Sequence, residues 1–168
     1  MLRPASRYRA APRTVAVLEE VVRDRGHIEV HAFGTSDDLL AQQDLTRGWI
    51  TNHGHLAPRK LAALLGQCDI FVDFSDYQAM GLTLLEAMAS GCAVIGPREG
   101  GATSFLRDGV NALVADTASN EDCIKQASRL VDDATLRTNL QRRAIDDANL
   151  HVPEAAALNM LTALFGGA

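Results

Sequence analysis

The sequence predicts an α/β fold, a doubly wound, Rossmann-like parallel sheet with helices on both faces. Three observations carry that expectation. Strand-length apolar runs alternate with segments of helical period along the whole chain, the pattern of repeated βα units. Two of the runs, DIFVDF at 69–74 and AVI at 93–95, are apolar with hardly a break, as strands buried on both faces must be. The 168 residues are 47% hydrophobic, 22% charged and 5% aromatic, which is the size and composition of one soluble domain with a single core.

The elements follow in order. From Pro12 to Arg25, residues Val15, Leu18, Val21 and Val22 share one helical face, and Pro12 suits a first turn, where its missing N–H is not needed. His27 to Gly34 (HIEVHAFG) sets Ile28, Val30, Ala32 and Phe33 in near alternation and closes on glycine, as a strand does. Trp49 to Asn52 is a second short strand before the Gly54 turn, and Pro58 to Gln67 is a helix carrying Leu61, Leu64 and Leu65. Asp69 to Phe74 is the third strand. Gly81 to Ser90 is a helix stopped by Gly91, and Ala93 to Ile95 is a strand ending at Gly96-Pro97. Gly101 to Arg107 is a short helix, Ala112 to Val114 a last strand, and Asn120 to Asp132 and Ala134 to Leu150 two more helices. Pro153 to Phe165 closes the chain as an apolar helix whose surface calls for a partner beyond this chain.

Composition excludes several function classes. With 16 Lys+Arg against 21 Asp+Glu the net charge is -5, so nucleic acid is not an expected partner and any anion site must be local. The longest uncharged stretch, Ala155 to Ala168, is interrupted by Asn159 and Thr162 and falls short of the ~20 apolar residues that cross a bilayer. No transmembrane segment is expected, while peripheral attachment to a membrane stays open. Cys68, Cys92 and Cys123 form no Cys-x-x-Cys pair and read as reduced structural thiols with a cytoplasmic address. His53 and His55 lack further ligands nearby, so no metal is expected. The first thirteen residues hold Arg3, Arg7, Arg9 and Arg13 and no acid, but no apolar core of a secretory signal follows, and they are read as part of the fold.

In a doubly wound sheet ligands bind outside the carboxyl ends of the strands, which directs attention to residues 3–9, 33–36, 52–56, 75–81 and 96–103. No Gly-x-Gly-x-x-Gly follows the first strand and no phosphate loop of the Gly-x-x-x-x-Gly-Lys-Ser/Thr type is present. Asp73 and Asp76 have no identifiable base partner and read as strand-end and turn acids. The stretch SDYQAMGLTLLEAMASG is the most informative. Gly81 opens a helix directly after a loop, and without a side chain it leaves the free N–H groups of the first turn open to an anion. Leu82, Leu85 and Ala89 are expected to face the sheet, with Glu86 near the border of that stripe, where a carboxylate can accept both hydroxyls of a ribose. On spacing alone Glu86 reads equally as a solvated helix residue, Gly81 as a turn glycine and the arginines as a solvated basic face.

The segment LLEAMASGCAVIG resembles the signature helix and following strand of family-4 retaining glycosyltransferases of the GT-B fold, and QAMGLTLLE, from Gln78 to Glu86, occupies the frame of that family's two spaced acids. The likeness runs on through Arg3, the Phe33-Gly34 strand end, the Asn52-His53-Gly54 turn, QCDIFVDFS, Gly100-Gly101 and RDGVNALV, all of the C-terminal, donor-binding half. It implies that residues 1–168 form one nucleotide-sugar-binding domain with a closing helix at 153–165. The donor substrate is then a nucleotide-diphospho-sugar, with no metal or other cofactor. Glu86 takes the ribose hydroxyls, and the backbone of Met80, Gly81 and Leu82 takes the diphosphate. Arg3 and Arg9, the latter favoured over Arg7, neutralise the leaving diphosphate, and Gly54, His55 and Leu56 line the turn that grips the base.

Three departures from the family pattern matter. Gln78 stands where the first acid holds sugar hydroxyls, and its amide donates and accepts but carries no charge. Ala79 and Met80 replace a Gly-Phe pair, and Thr103 and Ser104 occupy the place of an acid after Gly100-Gly101. The resemblance implies hexosyl transfer to a glycan or lipid acceptor, as in polysaccharide biosynthesis, with an N-terminal acceptor-binding domain as the missing partner. Binding with little or no transfer is expected of the chain by itself. The rival readings are a non-catalytic nucleotide- or partner-binding module and a flavodoxin-like signalling domain.

Overall fold

The computed structural model describes residues 1–23 and 25–165. Proline near the start of α1 (Ala11–Val22) and α3 (Pro58–Leu65) costs no hydrogen bond. β1 (Val30–Ala32), β2 (Ile50–Asn52), β3 (Ile70–Val72), β4 (Ala93–Pro97) and β5 (Leu113–Ala115) are separated by helices, as the alternating pattern predicts. Between β1 and β2 lies a short helix that the apolar period does not announce, α2 (Asp37–Gln42), capped by the Ser36 side chain accepting from Leu39 N. α4 (Leu82–Ala89) precedes β4, and α5 (Asn120–Asp132), α6 (Ala134–Ala148) and α7 (Pro153–Phe165) follow β5. Ser119 and Asp133 cap α5 and α6 through their side chains. Residues 101–107, expected as one short helix, form a single 3-10 turn over Gly101–Ser104.

All strand pairs are parallel. They form two groups among the described residues, β1-β2 and β3-β4-β5, where the sequence leads one to expect a continuous sheet. β4 sits centrally, pairing Val94 with Phe71 and Ile95 with both Val72 and Leu113, and is buried along its length. Its alternating side chains feed two layers. Val94 joins Leu84, Met88, Phe71, Leu106 and Ala144 beneath α4 and α6, while Ala93 and Ile95 join Val17, Val21, Leu130 and Leu140 beneath α1 and α5. Helices therefore cover both faces of this sheet, as the doubly wound reading requires. A third cluster of Leu2, Val15, Ala32, Leu40 and Leu45 packs α1 and α2 on β1.

The buried side of α4 is Leu84, Ala87 and Met88. The expected stripe of Leu82, Leu85 and Ala89 is corrected here: Leu82 is 59% exposed, Ala89 is exposed and Leu85 only partly buried. On α7, Leu158, Met160, Leu161 and Leu164 are all exposed. Among the described residues no helix is long and apolar enough to cross a membrane. The three cysteines are free thiols. Burial pushes Cys92 up to about 12 and Cys123 up to about 11, so neither carries thiolate near neutrality.

Candidate functional site

The loop after β3 and the turn after β4 meet at the amino end of α4. Gly81 is the N-cap, with φ +79, and no side chain caps the helix. The backbone of Leu84 and Leu85 closes onto the Gly81 carbonyl, leaving the N–H groups of Leu82 and Thr83 with no acceptor inside the helix. Opposite stand Gly100 and Gly101. Gly101 N donates to Gln78 O at 2.9 Å, and a methyl group on Gly101 would lie 1.8 Å from Ala79 O. The two loops thus touch backbone to backbone, which only glycine allows.

Gln78 lies inside this junction, 3% exposed. Its Oε1 accepts from Arg9 Nη1 at 3.5 Å, and its Nε2 is buried with no hydrogen-bond partner. A buried donor left unmatched is costly, and an accepting group brought to this junction would relieve that cost. Arg9 comes from the 3-10 turn Arg7–Arg9, which is tied to the same loop by Asp76 N donating to Tyr8 O at 2.8 Å. Its guanidinium also pairs with Asp73 at 3.2 Å. Asp73 is 8% exposed and accepts from Ser75 N and the Ser75 hydroxyl as well. It is therefore a buried anchor for the arginine, where the sequence reads as a strand-end acid. The signal that could have found it is an acid inside an otherwise apolar run in a chain with an acid-free arginine cluster upstream.

The other expected residues are distributed around this core. Met80 is 56% exposed beside Leu82, and Glu86 lies on the exposed side of α4, one turn beyond Leu82. Arg3 is exposed just after Leu2, whose N–H donates to Phe33 O at the end of β1. Arg7 is turned onto the Tyr8 ring at 4.7 Å, which leaves Arg9 as the arginine at the junction. Gly54, with φ +64, accepts at its carbonyl from Gly34 N at 2.7 Å, so the turns after β1 and β2 are joined. His55 is exposed and Leu56 half-buried in that turn, Leu56 packing against the core cluster that holds Leu84 and Ala102. Arg9, Gln78, Gly81, Gly100 and Gly101 are thus brought together, and Met80, Leu82 and Glu86 adjoin them. Arg3 and the Gly54–Leu56 turn lie at the same end of the strands. No cluster of three or more His, Cys, Asp or Glu that could hold a metal occurs among the described residues.

This arrangement offers an anion two helix N–H groups, one primary amide donor and a guanidinium, in a junction whose backbone is fixed by glycine contacts. Comparison with known proteins agrees in kind. Residues 7–133 match the family Glycosyl transferases group 1. A lipopolysaccharide core biosynthesis glycosyltransferase of Rhizobium meliloti is 35% identical over 79 residues, covering 47% of this chain and 23% of that protein. A D-inositol 3-phosphate glycosyltransferase of Corynebacterium aurimucosum is 30% identical over 103 residues, covering 61% of this chain and 24% of its own length. The chain therefore spans about a quarter of these relatives. Among solved structures, sucrose-phosphate synthase of Thermosynechococcus elongatus superposes with a TM-score of 0.80 at 21% identity, over 97% of this chain and 44% of that one. The Anabaena protein HepE, in complex with UDP and glucose, does so with a TM-score of 0.75 at 16% identity, over 94% and 44%. Both likenesses establish the fold, a Rossmann-like half of the GT-B type. The match over residues 7–133 settles the family, and the chain belongs to the group 1 glycosyltransferases.

Proposed function

We propose that this chain is the donor-binding half of a glycosyltransferase, holding a nucleotide-diphospho-sugar at the amino end of α4 for transfer of a hexosyl group, with retained configuration, to a glycan or lipid acceptor. The observation that carries the reading is the Gly81 junction: an uncapped helix N-terminus walled by Gly100 and Gly101, with a buried, unmatched Gln78 amide and the Arg9 guanidinium facing it. The N–H groups of Leu82 and Thr83 hold the diphosphate, and the helix dipole adds to their field. Arg9, and Arg3 from the solvent side, oppose the charge that builds on the diphosphate as the glycosidic bond lengthens. Donors of this kind are worth about 2–4 kcal/mol of barrier each in related oxyanion sites. Gln78 Nε2 donates to a sugar hydroxyl, and Glu86 accepts from the ribose diol. Gly54, His55 and Leu56 lie on the base side.

The acceptor belongs to a second, N-terminal domain in this reading, and 1–168 acts as one donor domain that binds without efficient transfer. Tyr8, Tyr77, Met80 and Leu82 are each 48–59% exposed around the junction, an apolar rim suited to a facing surface. Charge neutralisation is assigned to the arginines, so the reading needs no resident metal. The free thiols support a reducing, cytoplasmic address.

The Asp73–Arg9 ion pair favours a second reading. A guanidinium already neutralised by a buried carboxylate, beside an uncharged Gln78, suits a module that binds a nucleotide without promoting transfer. One experiment addresses both. Calorimetric titration with UDP, GDP and dTDP, and with their glucose conjugates, is run on the chain and on Glu86→Ala. Binding of one base series, weakened at least tenfold by the substitution, supports the donor site, and absence of binding in all series refutes it. Adding an acceptor-domain partner then separates the readings, since only the enzyme releases nucleoside diphosphate.

A further inference from the structure

The alternation in HIEVHAFG sends Val30 and Ala32 to one side of the chain and Glu29 and His31 to the other. Ala32 is spent on the core, whereas Glu29 is exposed and His31 half-buried. β2 lies beside β1 with Thr51 opposite His31 and Asn52 opposite Ala32. One residue further on, His53 N donates to Ala32 O at 2.8 Å, so the ladder continues and the His53 side chain returns to the side of Thr51 and His31. There His31 Nδ1 and His53 Nε2 stand 3.1 Å apart. The sequence sets His53 beside His55 and shows no further ligand, but the fold sets it against a histidine 22 residues earlier.

The geometry is that of two ligands meeting at one point. The ring centroids are 5.2 Å apart with the planes tilted by 45°, so the rings meet at their nitrogens and do not stack. Two imidazole nitrogens bound to one cation at ~2.0–2.1 Å stand ~2.8–3.4 Å apart for angles between a right angle and the tetrahedral one. The observed separation falls inside that range. Glu29 Oε2, 3.8 Å from His31 Nε2, favours the hydrogen on that nitrogen and leaves Nδ1 as a lone pair facing His53. Without a cation, His53 Nε2–H donates to it. A cation takes the place of that hydrogen, which moves to His53 Nδ1 through solvent, so the pair gains and loses no proton.

We propose that His31 and His53 form a two-imidazole chelate for one borderline divalent cation, Cu²⁺, Ni²⁺ or Zn²⁺, which staples the end of β2 to β1. Imidazole donors select these ions over Mg²⁺ and Ca²⁺, which take oxygen. The ladder holds both backbones in place beforehand, so little ordering opposes binding. His53 is exposed and the His31 side chain 29% exposed, which leaves the remaining coordination positions to water. None of the residues of the Gly81 junction takes part, and the inference stands or falls apart from the donor-site reading.

The test titrates the 168-residue chain with nickel chloride by calorimetry in excess Mg²⁺. A single Ni²⁺ per chain is expected, with Tm rising as the metal is added and with tighter binding of Cu²⁺. His31→Ala and His53→Ala are each expected to weaken binding about tenfold or more and to remove the Tm shift. His27→Ala, which removes a histidine four residues from His31, is expected to bind Ni²⁺ as the unsubstituted chain does. Amide-resolved NMR with substoichiometric Cu²⁺ needs no variant, and residues 30–32 and 51–54 are expected to broaden first. Absence of Ni²⁺ binding overturns the proposal, as does undiminished binding by His53→Ala or broadening that begins at other residues.

Discussion

Replacement of Gly101 by alanine puts the site geometry to a numerical test. The added carbon would lie 1.8 Å from Ala79 O, 2.5 Å from Ala79 C and 2.7 Å from Met80 Cα. A carbon approaches a carbonyl oxygen to no less than about 3.3 Å, so the loops must part by about 1.5 Å. All three contacts are with backbone, and no rotamer change relieves them. Overpacking of this kind costs about 1–3 kcal/mol, and the bond from Gly101 N to Gln78 O, about 1 kcal/mol, is lost with it. The expected total is about 2–4 kcal/mol. Gly48→Ala is the matched control, because nothing lies within 4 Å of its added carbon. Urea denaturation at 25 °C, with m near 2 kcal/mol/M, should show the Gly101 midpoint about 1–2 M lower and the Gly48 midpoint unchanged or slightly raised. Stabilities within about 0.5 kcal/mol of each other would refute the backbone-to-backbone junction.

Asp73→Asn removes the carboxylate that holds Arg9, and its partly solvated partner limits the expected loss to about 1–3 kcal/mol, with weakened nucleoside diphosphate binding in the same titration. Stability of the 168-residue chain should rise from pH 6 to pH 8. The Met1 amine titrates near 6 when folded and 8.0 when unfolded, so the unfolded state holds the extra proton across that window. The two-unit difference is worth about 2–3 kcal/mol, and amino-terminal acetylation should flatten the profile. Cys92 and Cys123, pushed up to about 12 and 11, should resist thiol reagents at pH 8 in the folded chain and react at once in denaturant.

The helix-strand order was legible because apolar period and glycine punctuation carry it locally. Asn120–Asp132 and Pro153–Phe165 match the expected bounds, and the frame from Gln78 to Glu86 led to the junction at Gly81. What was not legible depends on pairing. The facing of α4 is not legible, because leucines at 82, 84 and 85 leave the phase of an eight-residue helix undecided, and the packing of Leu84, Ala87 and Met88 in the core puts the buried side more than a third of a turn from the expected stripe. Asp73 acquires meaning from Arg9, 64 residues away in sequence. The separation of β1 from β3 is invisible to any pattern that finds strands without saying which ones touch. α2 carried a readable sign, Ser36 followed by two acids, but its six residues are too few to show a period.

The most direct test of the central claim is an amide-resolved NMR titration of the chain with the nucleoside diphosphate that binds in calorimetry. The donor-site account predicts that the amides of Met80, Gly81, Leu82, Thr83 and Gly101 and the Gln78 side-chain amide move together along one saturation curve, while Gly48 and Gly109 stay still. Saturating shifts confined to other elements, with the Gly81 and Gly101 amides unmoved, would contradict it.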